Sequence, residues 1–389
     1  MGSPSRKTLA WVAGAALVVG GCTAGIVVTV NGASGSGSGG TAAPPAAAQK
    51  LPLRVVSISP VSGERSANGA GDITVTYNQP LPASAPLPTL SPSISGSWQR
   101  EGHTVVFTPA TGFPPGTHVT VTAGTGGSGV RPESSSFKTG KYSTLRLQEI
   151  LAQLGYLPLT WTPTAASTGT GATGTGATVT GEASVTGLTS PQAELSAAYA
   201  PPAGTFTWQP GYPSQLHSFW SPGKANMLDR GAITGFEADH KLPINGVAGP
   251  AVWKALLAAA AAGTKNTHGY SYAIASERIP ETLTIWHDGR KVFSSAANTG
   301  IGVAPTAIGT YPVYLKLQYQ VMSGTNPDGS HYADPVSWVS YFNGGDAVHY
   351  FARGSYGTPQ SLGCVELPYT AAKRAYPYLP YGTLVTVTA

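Results

Sequence analysis

The chain has 389 residues, 10% of them charged and 41% hydrophobic, with 50 Gly, 33 Pro and a net charge of +5. That length suits two to four domains, and a charged fraction well below the roughly 25% of average soluble domains points to β-structure, turns and linkers. The Lys and Arg residues form no cluster or stripe, so the chain lacks the electrostatic footprint of a nucleic-acid binder.

Taken in chain order, Arg6 and Lys7 precede an apolar run from Leu9 to Val30, long enough as a helix to span a bilayer. The positive flank should keep the N-terminal end inside and send the rest out. Three readings stay open: an uncleaved anchor, a cleaved signal peptide, and a lipoprotein signal. The last is offered by Val19-Gly20-Gly21-Cys22, which resembles a lipobox and would make Cys22 the lipidated residue. All three place the chain in the cell envelope, membrane-tethered or as a lipoprotein. A weakly basic exported protein also suits an acidic cell wall. Residues 31–50 are Gly, Ser, Ala and Pro with almost no charge and read as a tether, closing an N-terminal region at 1–50.

From 51 to 140 short alternating runs, such as "DITVTYNQPL" and "THVTVTAG", are separated by Gly/Pro/Asn turns and read as a β-sandwich. This stretch resembles a bacterial Ig-like domain, which implies a spacer or adhesion module. The period then changes. Leu147, Ile150, Leu151 and Leu154 share one helix face, with Gly155 placed to end the helix. Pro250 opens a later helix carrying Trp253, Leu256 and Leu257. These two blocks resemble the helical peptidoglycan-binding domain that accompanies wall enzymes, here over 141–262 and split by an insertion at 160–226. The insertion starts as a low-complexity Gly/Thr/Ala run, expected to be mobile. It continues with Trp208, Tyr212, Phe219 and Trp220, which suit either stacking on sugar rings or packing the loop onto its own domain. From 267 to 389 the chain is β-rich, with a hairpin turning at Asp288-Gly289. The expected fold class is therefore multidomain and mainly β: a sandwich, a small helical domain and a β-rich C-terminal domain.

The C-terminal domain holds Cys364, and the only other cysteine is Cys22. Outside the cell a structural cysteine normally has a partner, so an unpaired thiol asks for a chemical reason. A thiol needs a base to become a nucleophile. His349 stands fifteen residues upstream, after an apolar stretch and before a Gly/Ser/Pro-rich loop. A strand ending at His349 and a return at Cys364 would bring the two together. Gly363 would let the backbone approach substrate and point an N–H at an oxyanion. One cysteine and scattered histidines lack the spacing of a metal site.

"GDAVHYFARGSYGTPQSLGCVEL" resembles the catalytic motif of the L,D-transpeptidase (YkuD-like) domain: a histidine, a loop of this length, then Ser-His-Gly-Cys. Ser361, Gly363 and Cys364 match, and "PTAIGTY" resembles an upstream family segment. The resemblance implies an exported acyltransferase of peptidoglycan synthesis, wall biogenesis and cell shape. Cys364 would be the nucleophile, attacking the third-residue carbonyl of a stem peptide. His349 would carry the proton, Gly363 would serve the oxyanion and Ser361 would support the loop. A neighbouring stem's amine would resolve the thioester to a 3→3 cross-link. No cofactor and no metal is implied. The partners are donor and acceptor stems, wall glycan and the membrane, with no nucleic acid. Two departures mark the motif: Leu362 replaces its second histidine, and Glu366 stands where Arg or Asn is usual. Tyr350, Arg353, Leu362 and Glu366 are the residues expected to meet substrate, with Arg353 supplying the displaced positive charge. The alternatives are a catalytically inactive wall-binding protein, an L,D-carboxypeptidase using water as acceptor, and a cysteine peptidase of the wall.

Overall fold

The computed structural model describes residues 52–124, 132–164 and 190–389. The Leu9–Val30 run, Cys22, the tether and most of the low-complexity run lie outside the described residues.

The first seven strands are β1 (Val55–Ser59), β2 (Ile73–Tyr77), β3 (Thr89–Ser91), β4 (Gly96–Glu101), β5 (Thr104–Pro109), β6 (His118–Ala123) and β7 (Glu133–Lys138). They form two antiparallel sheets, ordered β1-β2-β5-β4 and β3-β6-β7. Alternation does the folding work here. Ile73, Val75 and Tyr77 are buried on one face of β2, and Val119 and Val121 on one face of β6. Both faces feed one apolar cluster with Val105, Phe107 and Phe137.

Next come α1 (Thr144–Gln153), β8 (Leu159–Pro163), α2 (Pro191–Tyr199), β9 (Gly204–Trp208), α3 (Ser214–His217), α4 (Met227–Asp239) and α5 (Pro250–Ala262). The Ser143 side chain caps α1, Asn226 and Asp229 form a capping box on α4, and Pro250 opens α5, each satisfying or removing amides that a helix start leaves unpaired. The expected apolar face of α1 is buried throughout. The base of the insertion is closed by pairing β8 with β9, Leu159 opposite Trp208. Its aromatics pack inward: Trp208 stacks on His217 at 3.9 Å, Phe206 meets Trp220 at 5.0 Å, and the buried Tyr212 donates to the Tyr270 carbonyl at 2.8 Å. These rings pack against the helical part and, through Tyr212, against Tyr270, while Trp208, Phe219 and Trp220 keep part of their surface exposed. A buried Arg146 ties α1 to α2, reaching Glu149 at 2.9 Å and Glu194 at 2.6 Å.

The last part comprises β10 (Ser271–Ser276), β11 (Thr282–His287), β12 (Arg290–Ala296), β13 (Gly309–Pro312), β14 (Leu315–Thr325), β15 (His331–Asn343), β16 (Asp346–Tyr350), β17 (Val365–Leu367), α6 (Tyr369–Ala375) and β18 (Leu384–Thr388). One sheet runs β12-β11-β10-β18-β13 and the other β14-β15-β16-β17. Asp288 and Gly289 both take positive φ, 46° and 73°, as the expected two-residue hairpin turn requires. Between the sheets lie Leu283, Ile285, Phe293, Phe342, Val348, Val365 and Val385.

The helical and C-terminal parts share a core. Tyr270, Tyr272 and Leu384 belong to the same apolar cluster as Leu151, Phe236 and Trp253. The backbones meet where α4 passes the turn before β18. A Cβ on Gly382 would collide with the Gly231 carbonyl, and Gly382 has φ +82°. Gly382→Ala is therefore expected to destabilise the chain by roughly 2 kcal/mol, read as a lower midpoint in thermal unfolding. An unchanged midpoint would mean that the seam opens without loss.

Candidate active site

The site is built on the parallel pairing of β16 with β17, in which Val348 faces Val365, His349 faces Glu366 and Tyr350 faces Leu367. Side chains alternate across a strand. Val348, Val365 and Leu367 therefore enter the inter-sheet core, while His349 and Glu366 turn to the other side. Cys364 immediately precedes β17 and joins them there. All three line a cavity of about 700 Å³. The β14–β15 hairpin forms one wall through Gln320, Met322, Tyr332 and Asp334. Ile301 and Leu362 lie on another side, with Gly345 and Asp346 beside the cysteine.

His349 is 3% exposed, and its Nδ1 lies 3.0 Å from the Tyr350 carbonyl oxygen. A carbonyl can only accept, so Nδ1 carries the hydrogen and Nε2 keeps its lone pair. Burial lowers the imidazole pKa, against the opposing effects of the Tyr350 carbonyl and Glu366. His349 is thus a neutral base at pH 7.

Cys364 is half-buried, and its Sγ donates to the Gly345 carbonyl at 3.7 Å. Burial pushes its thiol up to about 12, the Ala347 backbone opposes this, and the charges of Asp346 and Glu366 add to it. Part of the residue's surface is open, which argues for a smaller effect of burial. The direction, thiol over thiolate, stands on the two carboxylates as well. Cys364 and His349 share a face without hydrogen-bonding to each other, so the thiol rests protonated.

Other expected site residues fall differently. The Ser361 hydroxyl donates to the Cys364 carbonyl at 2.6 Å and accepts the Gly363 N–H at 3.2 Å. That is a supporting role for Ser361, and it corrects the expectation for Gly363, whose amide is already engaged and does not point freely at an oxyanion. Gly363 is needed for another reason: it has φ +116°, and a Cβ there would lie 2.6 Å from Asp346 Oδ1. Arg353 and Glu366, expected to meet substrate separately, hold each other. Nε and Nη2 of Arg353 reach Oε2 and Oε1 of Glu366, both at 2.8 Å, and Nη2 also donates to the Gln360 carbonyl at 2.9 Å. Such two-pronged pairing fixes geometry as well as charge. The displaced positive charge is present, but paired. Leu362 is 36% exposed at the cavity's edge. Tyr350 does not line the cavity. Strand alternation turns it to the opposite face, where it meets Tyr369 edge-on at 5.1 Å.

Several residues that position this site escaped the sequence reading. Asn298 Oδ1 accepts from Gly357 N–H at 2.9 Å and from Thr358 N–H at 3.4 Å, while its Nδ2 donates to the Ser355 carbonyl at 3.2 Å. The Asn298 backbone exchanges two hydrogen bonds with Glu366, and the Thr299 carbonyl accepts from Gln360 and Ser361. Thr299 is held in turn by the fully buried Glu281, which accepts from its amide at 2.6 Å and its hydroxyl at 2.8 Å. The loop between His349 and Cys364 is therefore pinned by residues more than fifty positions upstream. The one sequence signal for them was polar side chains in an otherwise apolar β-region.

This arrangement offers a shielded thiol, a neutral imidazole with a free nitrogen, and a cavity large enough for a peptide. Comparison with known families supplies the deciding match. Residues 270–387 match the L,D-transpeptidase catalytic domain, YkuD. The C-terminal β-domain, with His349 and Cys364 inside it, lies within the matched segment. No curated protein matches the chain. Among solved structures, an L,D-transpeptidase from Mycobacterium smegmatis is 14% identical over 87% of this chain and 100% of its own, with a TM-score of 0.29. L,D-transpeptidase 3 from Mycobacterium tuberculosis, in complex with a faropenem-derived adduct, is 15% identical over 86% and 98%, with a TM-score of 0.29. The catalytic domain of an E. faecium L,D-transpeptidase is 24% identical over 30% and 95%, with a TM-score of 0.28. The argument for the L,D-transpeptidase domain rests on the family match.

Two outcomes follow. With the thiol held well above its usual range, well under about 1% is thiolate at pH 7. Alkylation of Cys364 by iodoacetamide should therefore be slow at pH 7 and rise about tenfold per pH unit without levelling before pH 10; a plateau near pH 8 would contradict this. Asn298→Ala removes the side-chain bonds to the Gly357 and Thr358 amides and the Ser355 carbonyl and should cost about 1–3 kcal/mol, and it should also change the Cys364 alkylation rate. Lost stability with an unchanged rate would deny Asn298 a part in positioning the thiol.

Proposed function

We propose that the chain is an exported L,D-transpeptidase that forms 3→3 peptidoglycan cross-links through a thioester on Cys364. The observation that carries this reading is that Cys364 and His349, set by the paired strands β16 and β17, line one cavity in a matched catalytic domain. Cys364 Sγ attacks the carbonyl of the third stem residue as His349 Nε2 takes its proton, and the same proton leaves with the terminal D-alanine amine. Since the thiol rests on the Gly345 carbonyl, this transfer needs the sulfur to turn from that carbonyl toward His349. The Gly363 amide is held by Ser361, which leaves the Cys364 amide to serve the oxyanion. Arg353 and Glu366 shape the wall as one neutral unit.

The remaining assignments belong to the same reading. The Leu9–Val30 run directs export and tethers the chain to the membrane or, through Cys22, to lipid. The N-terminal β-unit is an Ig-like spacer, and the helical part, sharing its core with the C-terminal domain, is a peptidoglycan-binding module that presents wall glycan to the cavity. A hydrolytic L,D-carboxypeptidase would use the same first step with water as acceptor.

The test is mass spectrometry after incubation with a disaccharide-tetrapeptide. The unaltered chain should gain a thioester adduct and yield a dimer lacking one D-alanine. Cys364→Ala should abolish both, and His349→Ala should reduce adduct formation by a factor on the order of 10² to 10⁴. An adduct resolving only to tripeptide would indicate a carboxypeptidase. No adduct on folded chain would favour an inactive wall-binding protein.

A further inference from the structure

One residue beside the thiol is unused by the first half-reaction. Asp346 opens β16, three positions before His349, and lines the cavity. Its Oδ2 accepts two long hydrogen bonds, from Asn343 Nδ2 at 3.3 Å and from the Ala307 amide at 3.4 Å. Its Oδ1 accepts none of the hydrogen bonds found among the described residues and lies against Gly363, the neighbour of the nucleophile. Burial raises the carboxyl pKa, the mark of a charge without enough compensation. No Lys or Arg pairs with it among the described residues. Among the described residues the one permanent cation lining the cavity, Arg353, has its Nε and Nη2 engaged by Glu366.

This carboxylate also works against the nucleophile, because its charge adds to the rise of the Cys364 thiol. It is not a strut either, for its two hydrogen bonds are at the long end of the range. A half-buried carboxylate with one open oxygen and no counter-ion, set beside the reacting sulfur, is completed by a cation. The second half-reaction brings one, because a side-chain amine at neutral pH arrives as ammonium.

We propose that Asp346 is the binding residue for the ammonium of the acceptor, and that it sets the amine nitrogen against the thioester carbonyl at Cys364. This rests on the acyl-transfer reading above. The held ammonium releases one proton to solvent. The neutral amine then forms the new C–N bond as the C–S bond breaks, and the surplus proton on nitrogen passes through His349 to the departing thiolate, restoring the thiol. Water makes no such contact, so Asp346 favours transfer over hydrolysis.

The experiment uses the full chain, a tetrapeptide donor ending in D-alanine, and Nα-acetyl-L-lysine as the acceptor. Mass spectrometry follows the adduct, the amide product and the hydrolysed tripeptide. Asp346→Asn, close in volume, should lower the ratio of amide to tripeptide by about tenfold, the worth of one charge-assisted contact, and raise the KM for the acceptor. Alkylation of Cys364 should become faster in the same variant, since the opposing charge is gone. In the unaltered chain Nα-acetyl-Nε,Nε-dimethyl-L-lysine, a cation that yields no stable amide, should compete with the acceptor and shift product toward tripeptide. That arm needs no substitution and stands even if the variant folds poorly. An adduct that forms while the ratio, the acceptor KM and the competition stay flat overturns the role of Asp346 and leaves the transpeptidase reading intact. No adduct in the unaltered chain overturns both.

Discussion

The parallel pairing of two short strands, β16 and β17, is the constraint on which the site depends. Its register sets His349 opposite Glu366 and, because side chains alternate, sends Val348, Val365 and Leu367 into the core between the sheets. A slip of one residue would exchange these two sets, burying polar groups in an apolar core and exposing valines to the cavity. The core therefore enforces the placement of His349 and Cys364.

A parallel pair cannot be closed by a tight turn, so a loop must cross from the end of β16 back to the start of β17. Such a loop would hold the cysteine poorly unless tied down. Here the ties come from Asn298 and Thr299, backed by the buried carboxylate of Glu281, and from the Arg353–Glu366 pair that bridges the loop to β17. The same carboxylates that stabilise or line this region press the thiol toward its neutral form. The resting thiol is thereby protected from indiscriminate chemistry.

The helical part has its own consequence for the site. Its apolar cluster extends into Tyr270 and into Tyr272 and Leu384 of the β12-β11-β10-β18-β13 sheet, and glycines let α4 approach the turn before β18. That sheet is thus packed on one side against the sheet that carries His349 and on the other against helices. The rings of the insertion, packed inward, contribute to this support.

Much of this was legible in the sequence because it follows from local physics. The alternation in "ITVTY", the helix face of Leu147, Ile150, Leu151 and Leu154, the capping role of Pro250 and the Asp288-Gly289 turn each depend on neighbours along the chain. The order of His349, loop, Ser361 and Cys364 was equally readable, and so was the need for an unpaired thiol to have a task. Tertiary structure decided the rest. It paired Arg353 with Glu366, turned Tyr350 away, spent the Gly363 amide on Ser361, and set Asp346 beside the thiol. It also recruited Glu281 and Asn298 from far upstream. Sequence carries periodicity and residue type, whereas the partner of a buried polar group is fixed only when the packing of distant strands decides which donors and acceptors meet.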